Sequence, residues 1–156
     1  MDDEDYEKLS KYKWSYHGDG YAARGYHSEG RLIIVKMHQE IIGKPQKGYE
    51  IDHFNGNKLD NRKCNLRVVT HQQNTFNSKK RKAPISGENP SKYKGVTWRN
   101  DRKKWRSSIT HNGCKYYLGL YEIEEEAALA YNKAAVNYYG EYARLNKIQG
   151  GQSYVK

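Results

Sequence analysis

Cysteine, aliphatic residues and long apolar runs are all scarce in this chain. Its two cysteines among 156 residues, Cys64 and Cys114, lie far apart and make no CxxC pair, which excludes a disulfide framework and a zinc-ribbon site and leaves plain thiols. Hydrophobic residues reach only 36% and the mean hydropathy is -1.13, so neither a membrane span nor a thick aliphatic core is available. The start, MDDEDYEKLS, lacks the basic-then-apolar order of a secretory signal, so a cytoplasmic, non-secreted protein is expected. What the chain has instead is 15 Tyr and 3 Trp, so burial must come from amphipathic aromatics.

Acidic residues are also scarce once the start is passed. Asp2, Asp3, Glu4, Asp5 and Glu7 crowd the first ten positions against Lys8, and the rest carries 27 basic and 13 acidic residues, a net of +14. A body this basic attracts a polyanion, and counterion release makes nucleic acid the expected partner over a membrane surface, because no long amphipathic basic helix is visible. A length of 156 residues suits two small domains, each short of core.

The order of elements follows from turn signals and periodicity. Residues 14–16, 21–24 and 31–36 read as strands of a meander separated by HGDG and HSEG, and residues 37–42 as a short helix stopped by Gly43 and Pro45. Residues 49–53 make a strand, FNGNKLDNRKCN a polar loop, and residues 66–69 the antiparallel return. In THQQ, Thr70 is a helix N-cap with Gln73 three residues on, a capping box. KKRKAPISGENPSKY is a linker by composition. Beyond it, residues 94–99, 104–110 and 115–120 read as strands. A helix follows whose Ala127, Ala130, Tyr131, Ala134 and Tyr138 form one face and which Gly140 ends.

The stretch YEIDHFNGNKLDNRKCNLRVVTHQQN places an Asp-His pair at a strand end, an Asn in the loop and another Asn in the first helical turn. Carboxylate and amide oxygens suit Mg²⁺ or Mn²⁺, and an imidazole beside them can deprotonate water near neutral pH. Asp52 alone could be a loop cap and Asn65 could close an Asx turn; His71 rivals Asn74 for the helix position and is otherwise a phosphate or structural contact. His38 is expected to pack between helix and strand, and His17, His27 and His111 to lie at the surface.

Residues 14–77 resemble the HNH homing endonucleases of the ββα-metal (His-Me finger) superfamily, through DHFNGNKLDNRKCNLR and the THQQN helix start, with Asn65 thirteen and Asn74 twenty-two residues after Asp52. The resemblance implies that Asp52 and Asn74 bind one divalent metal, that His53 is the general base, and that Asn65 orients the His53 imidazole. Many relatives have His at the last ligand; Asn74 favours Mg²⁺, with Mn²⁺ possible and zinc excluded.

Residues 92–146 resemble the plant ethylene-response-factor (APETALA-type) DNA-binding domain through KGV, KWR, YLG and EEEAALAYNKAA. The resemblance implies a three-stranded sheet whose exposed face enters the major groove through Lys94, Thr97, Arg99, Arg106, Ser108, Thr110, Lys115 and Tyr117. Alternation supports this, with Trp105, Ser107 and Ile109 facing the helix and Arg106, Ser108 and Thr110 facing outward. Thr97, Ser108 and Thr110 are smaller than the Arg and Glu usual there, so the plant target sequence does not carry over. Ile123 stands where a good N-cap is common. Trp98 stays open between stacking on DNA and core packing. The cluster Lys79, Lys80, Arg81 and Lys82 is expected to track phosphates.

The fold expected is therefore α+β: an acidic tail at 1–10, a nuclease domain at 11–78 with its ββα-metal core at 49–77, and a linker at 79–91. A sheet-plus-helix domain at 92–146 and a C-terminal tail at 147–156 complete it. The function expected is site-directed cleavage of double-stranded DNA by a monomer that nicks, with no membrane or small-molecule partner. The competing class is a non-catalytic DNA-binding regulator, and an RNA-directed nuclease is disfavoured because the deep, narrow major groove of RNA excludes a sheet reader.

Overall fold

A computed structural model describes residues 1–80 and 91–148. Arg81, Lys82, the proline-containing part of the linker and residues 149–156 lie outside the described residues. The chain forms two compact units, residues 1–77 and 78–156, and it is mixed α+β with small antiparallel sheets.

In the first unit, β1 (Ser15–Tyr16), β2 (Ala22–Ser28) and β3 (Arg31–Lys36) form the meander, with Ala23 opposite Lys36. Helix α2 (Met37–Ile42) then leads to the hairpin of β4 (Tyr49–His53) and β5 (Leu66–Thr70), which encloses the polar loop and a 3-10 turn at Lys63–Asn65. Helix α3 (His71–Asn77) starts from the capping box read in the sequence. Thr70 N–H donates to Gln73 Oε1 at 2.8 Å and Gln73 N–H to Thr70 Oγ1 at 3.3 Å, which satisfies two donors that a helix start would otherwise leave bare.

The acidic start is not a tail. Residues Asp3–Leu9 form helix α1, with three carboxylates in its first turn where the helix dipole favours them. Leu9 is fully buried, and the helix is tied down by Trp14 Nε1–H on the Leu9 carbonyl at 2.8 Å. Lys63 holds its other end, with its N–H on Asp2 at 2.6 Å and its ammonium on Glu4 at 2.7 Å. One buried leucine in a helix of otherwise charged residues and a tyrosine carries no periodicity, so composition alone could not show this docking.

In the second unit, β6 (Val96–Arg99), β7 (Lys104–His111) and β8 (Cys114–Tyr121) make an antiparallel sheet in that order, with an irregularity at Ser107/Ser108. Helix α4 (Glu124–Tyr139) lies across one face. Its alanines Ala127, Ala128 and Ala135 are fully buried, and the short side chains let the helix approach Tyr93, Val96, Trp105 and Tyr121 closely. Ile123 gives α4 no side-chain cap, and Glu124, Glu125 and Glu126 fill the first turn. Among the described residues, no helix is long and apolar enough to cross a membrane.

Gly95, in the KGV motif, has φ +77°, and a Cβ there would lie 2.0 Å from the Tyr131 ring and 2.8 Å from the Ser108 carbonyl. Both backbone conformation and helix approach therefore demand glycine. Gly95→Ala is expected to destabilise the second unit by about 2–4 kcal/mol, from left-handed strain plus overpacking, read as loss of amide hydrogen-exchange protection in β6–β8.

Candidate functional site

Strand β4 ends in Asp52 and His53, which are 6% and 4% exposed. Alternation along β4 puts Glu50 on the same face as Asp52, toward α3. The helix presents two amides, one turn apart. Asn74 Nδ2–H donates to Glu50 Oε2 at 2.5 Å, whereas Asn77 Nδ2–H reaches both Asp52 oxygens at 3.0 Å and the carbonyls of His53 and Phe54 at 3.1 and 3.2 Å. The helical residue on Asp52 is thus Asn77, and Asn74, expected beside Asp52, sits one rung earlier. The reason is where α3 sits along β4: three helical residues rise about 4.5 Å and two strand residues about 6.6 Å, so one helix turn spans the two rungs, Glu50 then Asp52.

Across the hairpin, Arg67 pairs with Asp52 in register and gives Nε–H and Nη2–H to its Oδ2 at 3.0 and 2.8 Å, with the guanidinium over the Phe54 ring. Glu50 also takes His71 Nδ1 at 2.8 Å, which places His71 as a carboxylate partner rather than a ligand rival. The Asn74 amide first, and His71 second, hold the Glu50 carboxyl below the usual range.

His53 Nε2 lies 3.2 Å from Asn61 Oδ1. Asn61 is 1% exposed and spends its NH₂ on the Leu59 carbonyl at 3.2 Å, so its oxygen faces the imidazole and can only accept. Nε2 therefore carries the proton and Nδ1 keeps the lone pair, an assignment made from the bonding network. Burial pushes the His53 pKa down, against the upward pull of Asn61, which favours the neutral ring. The Tyr21 ring centroid lies 5.7 Å from it and the His38 ring 5.2 Å, edge-on.

Asn65 does not touch His53. Its Oδ1 accepts from Asn55 N–H at 2.9 Å and its Nδ2–H donates to the Asp60 carbonyl at 2.8 Å, so it closes the polar loop while Asn61 holds the ring. Of the residues expected at the site, Asp52 and His53 are side by side, Asn65 stands behind them, and Asn74 is offset. The sequence reading missed Asn61, Asn77, Arg67 and Glu50. Asn77 was visible as the same-face neighbour of Asn74 at i+3, and Glu50 as the same-face neighbour of Asp52 at i-2.

On the second unit, the cross-strand partners Thr97 and Arg106, Ser108 and Tyr117, and Thr110 and Lys115 share the face away from α4. Tyr117 is 61% exposed, and Arg106 Nε is buried without a bonding partner. Arg99 lies at the edge, bidentate on Asp101 at 2.9 Å. Trp98 packs edge-on against Trp105, its ring centroid 5.0 Å away. Lys80 points inward, donating to the Ser91 and Val96 carbonyls, and Lys94 donates to the Ser78 carbonyl at 2.9 Å.

Residues 36–76 match the family model described as HNH endonuclease. The chain is 32% identical over 142 residues to an uncharacterized HNH endonuclease of Acanthamoeba polyphaga mimivirus, covering 90% of this chain and 70% of the relative. The chain belongs to the HNH endonuclease family. This HNH nuclease is also 32% identical over 111 residues to Protein 3.8 of Escherichia phage T7, covering 71% of the chain and 87% of that protein. It is 38% identical over 76 residues to an AP2-like ethylene-responsive transcription factor of Arabidopsis thaliana, covering 42% of the chain and 24% of the plant protein. The chain thus combines an HNH module with an AP2-like part. No solved structure matches it.

The buried His38, 6% exposed, supplies a pH test of the site's packing. Burial first, then His53 and Lys36, push its pKa down to about 4, against an upward pull from Asp19. The unfolded chain, with its imidazole near pH 6.5, binds more protons between those values, so stability is full above about pH 6.5 and falls as pH drops toward 4. The loss is expected to be on the order of 2 kcal/mol. Exchange protection of β2 and β3 amides at pH 7 and pH 5 reads it, and His38→Phe should flatten the difference.

Proposed function

We propose that this HNH nuclease is a site-directed, homing-type DNA endonuclease that nicks duplex DNA as a monomer, using His53 as general base and one divalent metal. The observation that carries this reading is the buried His53 imidazole beside Asp52, with its Nε2 on Asn61 Oδ1 at 3.2 Å, which leaves Nδ1 the lone pair. Its neighbour Asp52 is a buried carboxylate whose Oδ1 accepts from Asn77.

The donor set fits a hard ion. The donors available beside Asp52 are carboxylate and amide oxygens, the kind that suit a hard ion, and at rest the Arg67 guanidinium holds Asp52 Oδ2. Asp52 and Asn74, with Glu50 beside them, would hold Mg²⁺ or Mn²⁺. When bound, the ion supplies positive charge against the phosphate and the departing oxygen. His53 Nδ1 takes a proton from water, the water oxygen attacks phosphorus, and the bond to the 3′ oxygen breaks; that oxygen takes a proton from solvent, giving 5′ phosphate and 3′ hydroxyl ends. Asn61 keeps the ring in the reactive tautomer throughout, and Asn65 acts through the loop that carries Asn61. Lys36 and Lys58, each 4.4 Å from the Tyr21 ring centroid, place cations beside the base for the phosphates on either side of the cut.

The sheet face selects the duplex. Thr97, Arg106, Ser108, Thr110, Lys115 and Tyr117 present hydroxyls, cations and one phenol to a major groove. Arg99 stands on the edge strand, for backbone contact. Relatives from a phage and a giant virus fit work inside an infected cell.

A supercoiled-plasmid assay tests this reading. Wild type with Mg²⁺ or Mn²⁺ should yield nicked circles, EDTA and His53→Ala should abolish them, and ligation should reseal ends left as 5′ phosphate and 3′ hydroxyl. Plasmid bound yet uncut in every lane would leave a DNA-binding regulator instead. Asn61→Ala should lower the nicking rate by about 10²-fold with binding unchanged, because the tautomer is no longer fixed; a drop in DNA affinity of the same size would refute its role on His53.

A further inference from the structure

The second unit holds a cleft of about 500 Å³ whose charged lining residues are Lys79, Lys80, Lys92, Lys94, Arg144 and Lys147. No carboxylate is among the residues that line it. It lies off the sheet face, where the start of the unit meets its final described segment.

The cleft is built rather than incidental. Lys94 N–H donates to Asn146 Oδ1 at 2.7 Å and Asn146 Nδ2–H returns to the Lys94 carbonyl at 3.0 Å. Asn146 N–H in turn donates to Asn132 Oδ1 at 2.7 Å, and Asn132 Nδ2–H to the Asn146 carbonyl at 2.9 Å. This double amide latch anchors residues 144–147 beside residues 92–94, far apart in sequence. Lys80 and Lys94 staple residues 78–80 to the same loop through the carbonyls of Ser91, Val96 and Ser78. Three segments that carry like charge are thereby pinned together by amide pairs and by ammonium-to-carbonyl bonds.

Gathering cations this way costs energy unless an anion joins them. Burial, and Arg144 nearby, lower the Lys94 pKa to about 8, and burial also lowers Lys80. Lys92 pairs with Glu125 at 3.2 Å, a carboxylate outside the lining. The aromatic residue of the lining, Tyr93, is itself buried and so offers no open platform to a base. Several ammonium and guanidinium groups held at fixed spacing suit a run of phosphates.

We propose that this cleft binds the sugar-phosphate backbone of the duplex, as a phosphate clamp separate from the sheet face. The proposal rests on DNA being the ligand of this unit. The Asn132–Asn146 latch sets the clamp's position, and Arg144 and Lys147 bring the charge of the final described segment to it.

The test is duplex-DNA affinity of the full chain across a salt series, for wild type, for Arg144→Gln/Lys147→Gln and for Lys79→Gln/Lys147→Gln. Each double variant should lower the slope of log affinity against log salt by about 1.8, because two phosphates are no longer neutralised, with an unchanged melting temperature. Wild-type slope in both variants, with DNA still bound, overturns the clamp and leaves the sheet-face reading standing. Wild type that binds no DNA overturns both. Inorganic phosphate raising the melting temperature of wild type but not of the variants, with DNA slopes unchanged, assigns the cleft to a small anion and overturns the clamp as well.

Discussion

The bonds from Asn77 and Arg67 to the Asp52 carboxylate tie together strand, helix and hairpin partner in the first unit. A buried carboxylate is costly unless its oxygens are satisfied, and here one helical amide and one guanidinium satisfy them at once. Because Asn77 also bonds the His53 and Phe54 carbonyls, the end of β4 cannot shift without losing several bonds together. His53 inherits its position from that fixed strand end and its tautomer from Asn61. The loop that carries Asn61 is in turn closed by Asn65. A short chain without a thick core thus holds its chemistry in place by polar closure around one acidic group.

The second unit solves the same shortage of core differently. Its helix is lined with alanine, so it sits close enough to the sheet for Tyr131 to press on Gly95, and tyrosine and tryptophan supply the buried area. What the sheet loses in aliphatic bulk it regains in an outer face free to carry hydroxyls and cations. Amide pairs fasten its last described segment, so the anchoring itself consumes none of the charge gathered there.

Much of this was legible in the sequence, and the failures have physical causes. The strand and helix bounds at residues 31–36, 37–42 and 49–53 follow from β-branched and aromatic runs, turn signals and a glycine stop, and the Thr70–Gln73 box fixed the start of α3, because each depends only on neighbours in the chain. The alternation of Trp105, Ser107 and Ile109 against Arg106, Ser108 and Thr110 likewise needs nothing beyond the pleat. Which amide meets which carboxylate depends on something else, where α3 sits along β4, and so Asn74 lay one rung from its expected partner. Asn61 and Asn65 are equivalent by residue type; only the loop's three-dimensional path decides which one faces the imidazole. Helix α1 was hidden because one buried Leu9 makes no pattern.

Arg67 gives the site an internal counter-ion. The Asp52 carboxylate is therefore balanced by a side chain of the same hairpin, unlike small domains in which a metal ion fills that place. Under the proposed metal role, an incoming ion would have to displace or share with this tethered guanidinium. The hairpin register that sets Arg67 opposite Asp52 thus makes the resting carboxylate electrically quiet.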